Sequence, residues 1–167
     1  MKNFPCALNN INKMTLFSLA QEVPQGGSII EIGACMGGSS AILGKGAPNA
    51  FITSYDIFIG NNNEPRPWGG RFGLSSVEDN TKRLADVGVH NVRFVQEDSI
   101  RLSEPKQDFD LLIVDGCHDY NWEGEMNPTL FPVGTPDVKK CVHEFLVAYP
   151  EFYVSAVAEQ EIVLRRS

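Results

Sequence analysis

The sequence has no excess of positive charge, no cysteine pair at metal-binding spacing and no long hydrophobic run. Each absence removes a class of function. Fourteen Lys and Arg stand against 21 Asp and Glu, a net charge of −7. Such a chain gains nothing from a phosphate backbone across a broad basic face, so no nucleic-acid partner is expected. Local clusters such as Arg165 and Arg166 remain. The four cysteines, Cys6, Cys35, Cys117 and Cys141, lie at long, irregular intervals without a CxxC. That argues against a zinc knuckle and a disulfide framework, and fits reduced thiols in a cytoplasmic protein. No stretch of about 18 apolar residues occurs, so no membrane span or membrane partner is expected. The N-terminal segment has a lysine at position 2 but no continuous apolar core, which does not make a signal peptide. There is no internal repeat, and biased composition is confined to "GNNNEPRPWGG" at 60–70.

What remains is a chain of 167 residues, 43% hydrophobic, enough for one domain (1–167) with a real core. Residues 14–23, "MTLFSLAQEV", carry Leu16, Phe17, Leu19, Ala20 and Val23 at helical spacing, and Pro24 closes the segment. "SIIEIGA" (28–34) reads as a buried strand, and "GGSSAILGKGA" as a helix with Ser39 and Ser40 in its first turn. "AFITSYDIF" (50–58) is a second strand. A polar loop at 59–75 follows, with Arg66, Trp68, Arg71 and Phe72 among glycines. "SSVEDNTKRLADVGV" predicts a helix capped by Ser75 or Ser76 and stopped at Gly88. "NVRFVQEDS" and "FDLLIVDG" are further strands, and "TPDVKKCVHEFLVAYP" a helix with Thr135 as cap and Pro136 in its first turn. "FYVSAVA" and "EIVLRRS" predict a closing pair turning at Glu159 and Gln160. Continuous apolar strands alternating with helices imply an α/β fold: a Rossmann-like, doubly wound, mostly parallel sheet with an antiparallel C-terminal strand pair.

In such a sheet, ligands sit beyond the carboxyl ends of the strands. Those ends carry "EIGACMGGSS", then Asp56, then Glu97, Asp98 and Ser99, then Asp115, Gly116 and His118. Gly33 and Gly37 form E-x-G-x-x-x-G, not the G-x-G-x-x-G of a dinucleotide loop, because position 35 is Cys. That leaves less room for a pyrophosphate and counts against a nicotinamide oxidoreductase. Asp56 follows Gly33 by 23 residues, where an acid can accept from both ribose hydroxyls. Asp98 can accept from an adenine amino group or cap a helix. Taken singly, each has a plainer reading: the glycines as a tight turn, Asp56 as a solvated strand-end acid, His118 as a surface histidine. Their joint arrangement favours a nucleoside with a cationic, phosphate-free tail.

The segments "IIEIGACMGGSS", "YDIF", "VQEDS" and "LLIVDGCHDY", within residues 25–120, resemble the class I S-adenosylmethionine-dependent methyltransferases. The nearest group is the small-molecule O-methyltransferases whose fourth strand ends in D-G-x-H-x-Y. The resemblance implies that Glu31, Gly33 and Gly37 shape the methionine pocket, with Ala34, Ser39 and Ser99 also among the cofactor-binding residues. It implies that Asp56 holds the ribose, that Asp98 lies by the adenine, and that Asp115 sits near the transferred methyl. His118 is then the candidate base. Asp115 and Asp119 could instead hold a divalent cation such as Mg. The 59–75 loop could close over a small-molecule acceptor, and a homo-oligomer stays open. Only 19 residues separate Gly116 from Pro136, where a helix, a strand and two loops need roughly 25 to 30. The fifth-strand region is therefore read as shortened or missing: either "DGCHDY" is the D-G-x-H-x-Y that ends the fourth strand, or, the reading favoured, "CHDYNW" is the motif that would follow the fifth strand, brought forward. An internal deletion, a short form and a missing stretch of sequence all fit. The shortening also motivates a rival reading, a catalytically degenerate protein that only binds the nucleoside cofactor.

Overall fold

The computed structural model describes Cys6 and residues 8–58, 75–97, 109–115, 143, 145–158 and 161–166. The elements in order are α1 (Asn10–Gln21), β1 (Ser28–Ile32), α2 (Gly38–Gly46), β2 (Phe51–Asp56), α3 (Val77–Asp86), β3 (Val92–Gln96), β4 (Leu111–Val114), β5 (Phe152–Ala158) and β6 (Glu161–Arg166). The chain divides into two compact units, Met1–Cys117 and His118–Ser167.

In the first unit four strands form a sheet in the order β3-β2-β1-β4. All three pairings are parallel, with Glu31 level with Ser54 on one side and Ile113 on the other. This is the expected α/β, Rossmann-like sheet. After β1 the chain steps outward to β2 and β3, then returns to the far side of β1 to form β4. The strand order reverses between β1 and β4, which is where a doubly wound sheet opens a crevice at its carboxyl edge.

One sheet face carries the described helices. Ile29 of β1 and Ile52 of β2 pack with Leu16 and Ala20 of α1 and with Ile42, Leu43 and Ala47 of α2. Phe94 of β3, which pairs in register with Ser54, packs with Leu84 of α3, Ala41 and Ala34. Ile29, Leu43 and Ile52 are almost wholly removed from solvent, and truncating one of them to Ala should cost about 2–5 kcal/mol. Among the described residues no helix is long and apolar enough to cross a membrane.

Local chemistry explains the helix ends. α1 begins four residues before the expected Met14, because Asn9 caps it. The Asn9 Oδ1 accepts from the Asn12 N–H at 2.8 Å, extending the helix past the apolar stripe. α3 begins after Ser76, whose hydroxyl accepts from the Asp79 N–H at 3.0 Å, with Glu78 and Asp79 near the positive end of the helix dipole.

In the second unit β5 and β6 pair antiparallel, as expected, with a register shift between Val154 and Ala156. Helical backbone occurs at 145–148. Phe145 meets Phe152 edge to face, ring centroids 5.2 Å apart, tying that turn to the hairpin. The fifth-strand question, residues 116–136, lies outside the described residues.

Candidate functional site

The site begins with Glu31, an acid in the middle of an apolar strand. β alternation aims it at the helix-bearing face, where it is fully buried. Its Oε2 accepts from the hydroxyls of Ser40, in the first turn of α2, and Ser54 of β2. Its Oε1 has no hydrogen-bond partner among the described residues. Burial raises the Glu31 pKa above the usual carboxylate value. The hydroxyls of Ser39, Ser40 and Ser54 pull it back in part, and the Asp115 carboxylate pushes it further up. A buried acid with one unsatisfied oxygen is a place that would take a donor from a ligand or a water.

The turn after β1 is built on left-handed backbone. Gly33 has φ 97° and Gly37 φ 78°, and between them Cys35 takes φ 48°. For a residue with a side chain that conformation costs about 1–2 kcal/mol, so neighbours must enforce it. The Gly33 N–H donates to the Tyr55 carbonyl at 2.8 Å, and the Gly37 N–H to the Ala34 carbonyl at 2.7 Å. The Cys35 N–H donates to Asp56 Oδ2 at 2.7 Å, while Asp56 Oδ1 accepts from the Phe58 N–H at 2.9 Å. Asp56 thus clips the end of β2 to the turn after β1. Its two oxygens have four acceptor positions, and the described residues occupy two of them.

Gly37 then caps α2 without a side-chain bond. A Cβ there would lie 3.1 Å from Leu84 Cδ1 and 3.3 Å from Phe94 Cζ, so the turn is packed tightly against α3 and β3. Cys35 itself is exposed.

Of the residues expected from sequence, Glu31, Gly33, Ala34, Gly37, Ser39, Asp56 and Asp115 gather at the carboxyl edge around β1. The Ala34 side chain is buried in the cluster that holds Phe94, Leu84 and Ala41. Ser39 is buried beside Glu31. Asp115 is exposed, and its N–H donates to the Ile32 carbonyl at 2.8 Å, continuing the β1–β4 ladder. Asp98, Ser99, His118 and Asp119 lie outside the described residues, as do Arg66, Trp68 and Arg71. Among the described residues no group of three or more His, Cys, Asp or Glu is placed to hold a metal ion.

Sequence reasoning missed Ser54 and Asn80. Ser54 is a small polar residue inside an apolar strand, a signal that a buried partner exists. Asn80 is fully buried and donates from Nδ2 to the Cys35 carbonyl at 2.8 Å. An asparagine among the charged residues on the first turns of a helix gives no comparable signal.

No family model and no curated protein matches the sequence. Solved structures do match. A structure from Clostridium thermocellum named as a candidate rRNA methylase is 14% identical, with a TM-score of 0.52 over 95% of this chain and 97% of that one. An rRNA methylase from Streptococcus thermophilus, 14% identical with a TM-score of 0.44, aligns with 65% of this chain and 52% of its own length. A coclaurine N-methyltransferase bound to N-methylheliamine and S-adenosylhomocysteine, 14% identical with a TM-score of 0.44, aligns over 66% of this chain and 30% of its own. The chain spans about half the length of the Streptococcus protein and less of the coclaurine enzyme. With its strand order and the match to the Clostridium structure over 95% of this chain, the chain has an α/β, Rossmann-like fold shared with that structure.

Proposed function

We propose that this chain, as a single domain, binds S-adenosylmethionine at the Gly33–Gly37 turn and transfers its methyl group to an oxygen of a small-molecule acceptor. The observation that carries the reading is the turn itself. It lies at the β1–β4 reversal, is clipped to Asp56, and has a side chain at position 35 where a pyrophosphate-binding loop needs a bare backbone. The buried Glu31, with an unsatisfied oxygen, suits the ammonium of an amino-acid tail better than a phosphate.

Bound S-adenosylmethionine supplies an electrophilic methyl on a sulfonium. The chain's own residues bind and orient. Glu31, Gly33, Ala34, Gly37 and Ser39 shape the amino-acid end, the remaining acceptor capacity of Asp56 takes the ribose hydroxyls, and Asp98 and Ser99 lie by the adenine. Asp115, just past the end of β4, the strand next to β1, faces the reacting centre. His118 removes the acceptor proton, since methyl displacement needs an aligned and deprotonated nucleophile. Alternatively, Asp115 and Asp119 would hold a divalent cation, which would lower the acceptor's pKa.

The net charge of −7 supports a small acceptor over a polynucleotide. Two matching structures are nevertheless named as rRNA methylases, so RNA is the first macromolecular acceptor to assay. Calorimetry with S-adenosylmethionine, S-adenosylhomocysteine and NAD tests the cofactor. Binding of the first two and not the third is expected. No binding of either at about millimolar concentration, an affinity of only about 4 kcal/mol, overturns the reading. Tight binding with no turnover on any acceptor would identify a cofactor-binding protein without catalysis.

A further inference from the structure

The Gly33–Gly37 turn is braced from behind by α3. Cys35 is held on both sides of its Cα: its N–H by Asp56 at 2.7 Å, and its carbonyl by Asn80 Nδ2 at 2.8 Å. Asn80 is fully buried, and its Oδ1 accepts from the Ser75 hydroxyl at 2.5 Å and from Arg83 Nη1 at 2.9 Å. Arginine can only donate and a carbonyl can only accept, so the amide has one workable orientation: oxygen toward Arg83, NH2 toward Cys35. One helical turn further on, Leu84 packs at the other end of the same turn, 3.1 Å from where a Gly37 Cβ would lie. The same helix face therefore grips the turn at residue 35 and at residue 37.

A residue with a side chain keeps a left-handed conformation only when its surroundings over-determine it. We propose that Asn80 is a positioning residue for the cofactor site: by holding the Cys35 carbonyl it keeps Cys35 at positive φ and presets the turn that receives the amino-acid end of the cofactor. The inference rests on the S-adenosylmethionine reading given above. It assigns Asn80 no contact with the cofactor. Its action runs through Cys35, and the relay behind it is Ser75 and Arg83, both on or next to α3.

The test is a double-mutant cycle on the full chain, comparing wild type, Asn80→Ala, Cys35→Gly and the double variant. Glycine takes positive φ without steric cost, so it should make the brace unnecessary. Asn80→Asp is the second variant, in case alanine leaves an unfoldable cavity. A carboxylate still accepts from Ser75 and Arg83 but cannot donate to Cys35. Two readouts are taken: amide hydrogen exchange at residue 35 by NMR without ligand, and the Kd for S-adenosylhomocysteine by calorimetry.

Asn80→Ala and Asn80→Asp should each speed exchange at Cys35 by roughly tenfold, a lost hydrogen bond's worth of local protection. Exchange at buried β1 residues such as Ile29 should not change. The Kd should rise roughly 5- to 10-fold. In the Cys35→Gly background the same substitution at 80 should change the Kd by less than about twofold, the signature of coupling between the two residues. Unaltered exchange at Cys35, or an equal loss of affinity in both backgrounds, overturns the proposal. If wild type fails to bind S-adenosylhomocysteine while Cys35 exchange responds as stated, the cofactor reading falls and the bracing of the turn by Asn80 stands.

Discussion

Replacing Glu31 with Gln should change how stability depends on pH. Burial raises the Glu31 pKa above its unfolded value of 4.5, with Asp115 adding to the effect and three serine hydroxyls opposing it. The sign follows from linkage. Below the unfolded pKa both states are protonated and the group costs nothing. As pH rises past it the unfolded chain ionises while the folded one resists, so stability falls until the folded pKa is passed. Each pH unit by which the folded pKa is raised costs about 1.4 kcal/mol at high pH.

The substituted glutamine would carry no charge, and its oxygen could still accept from Ser40 and Ser54. Its NH2 would fall where the Glu31 Oε1 has no partner among the described residues, a buried donor left unsatisfied at about 1–3 kcal/mol, independent of pH. The variant is therefore penalised by a constant but spared the slope. In urea titrations followed by circular dichroism from about pH 4.5 to about pH 8, its stability relative to wild type should improve steadily with pH. A gap between the two proteins that stays constant, or widens against the variant, refutes the assignment of a strained buried acid. The same substitution should weaken binding of S-adenosylhomocysteine, because a neutral amide attracts an ammonium less than a carboxylate does.

Asp56→Ala removes two charge-assisted bonds, from the Cys35 and Phe58 N–H groups, together with the proposed ribose contact. It should weaken S-adenosylhomocysteine binding by roughly 10- to 100-fold, about 1.5–3 kcal/mol; an unchanged Kd by calorimetry would leave Asp56 as only a strand-end acid. Gly37→Ala, at φ 78° and with Leu84 and Phe94 within 3.3 Å of the new Cβ, should destabilise the fold by at least about 1–2 kcal/mol in urea unfolding. Asp115→Ala and His118→Ala should lower turnover more than cofactor affinity, measured by radiolabelled methyl transfer alongside calorimetry. Full turnover in EDTA with loss in His118→Ala would establish a metal-free histidine base, whereas loss in EDTA would point to a cation at Asp115 and Asp119.

The sequence by itself determined the α/β class, the four strands of the parallel sheet and the closing hairpin. These rest on short-range signals: apolar runs of strand length, serine caps, and glycine or proline stops. It also marked Asp56 as an acid near the end of an apolar strand, and the family resemblance pointed to Glu31. Tertiary structure decided what those acids touch. The order β3-β2-β1-β4 brings Asp56 to the backbone of Cys35, 21 residues away, and Ser54 to Glu31, 23 residues away. The pairing of Asn80 with the Cys35 carbonyl spans 45 residues and left no periodic trace. Nor did the positive φ of Cys35, at a position where the residue type favours ordinary backbone. Periodicity reports only which way a side chain faces its own element. Which groups meet across elements is set by strand order and register, and these emerge only when the whole sheet and its helices pack.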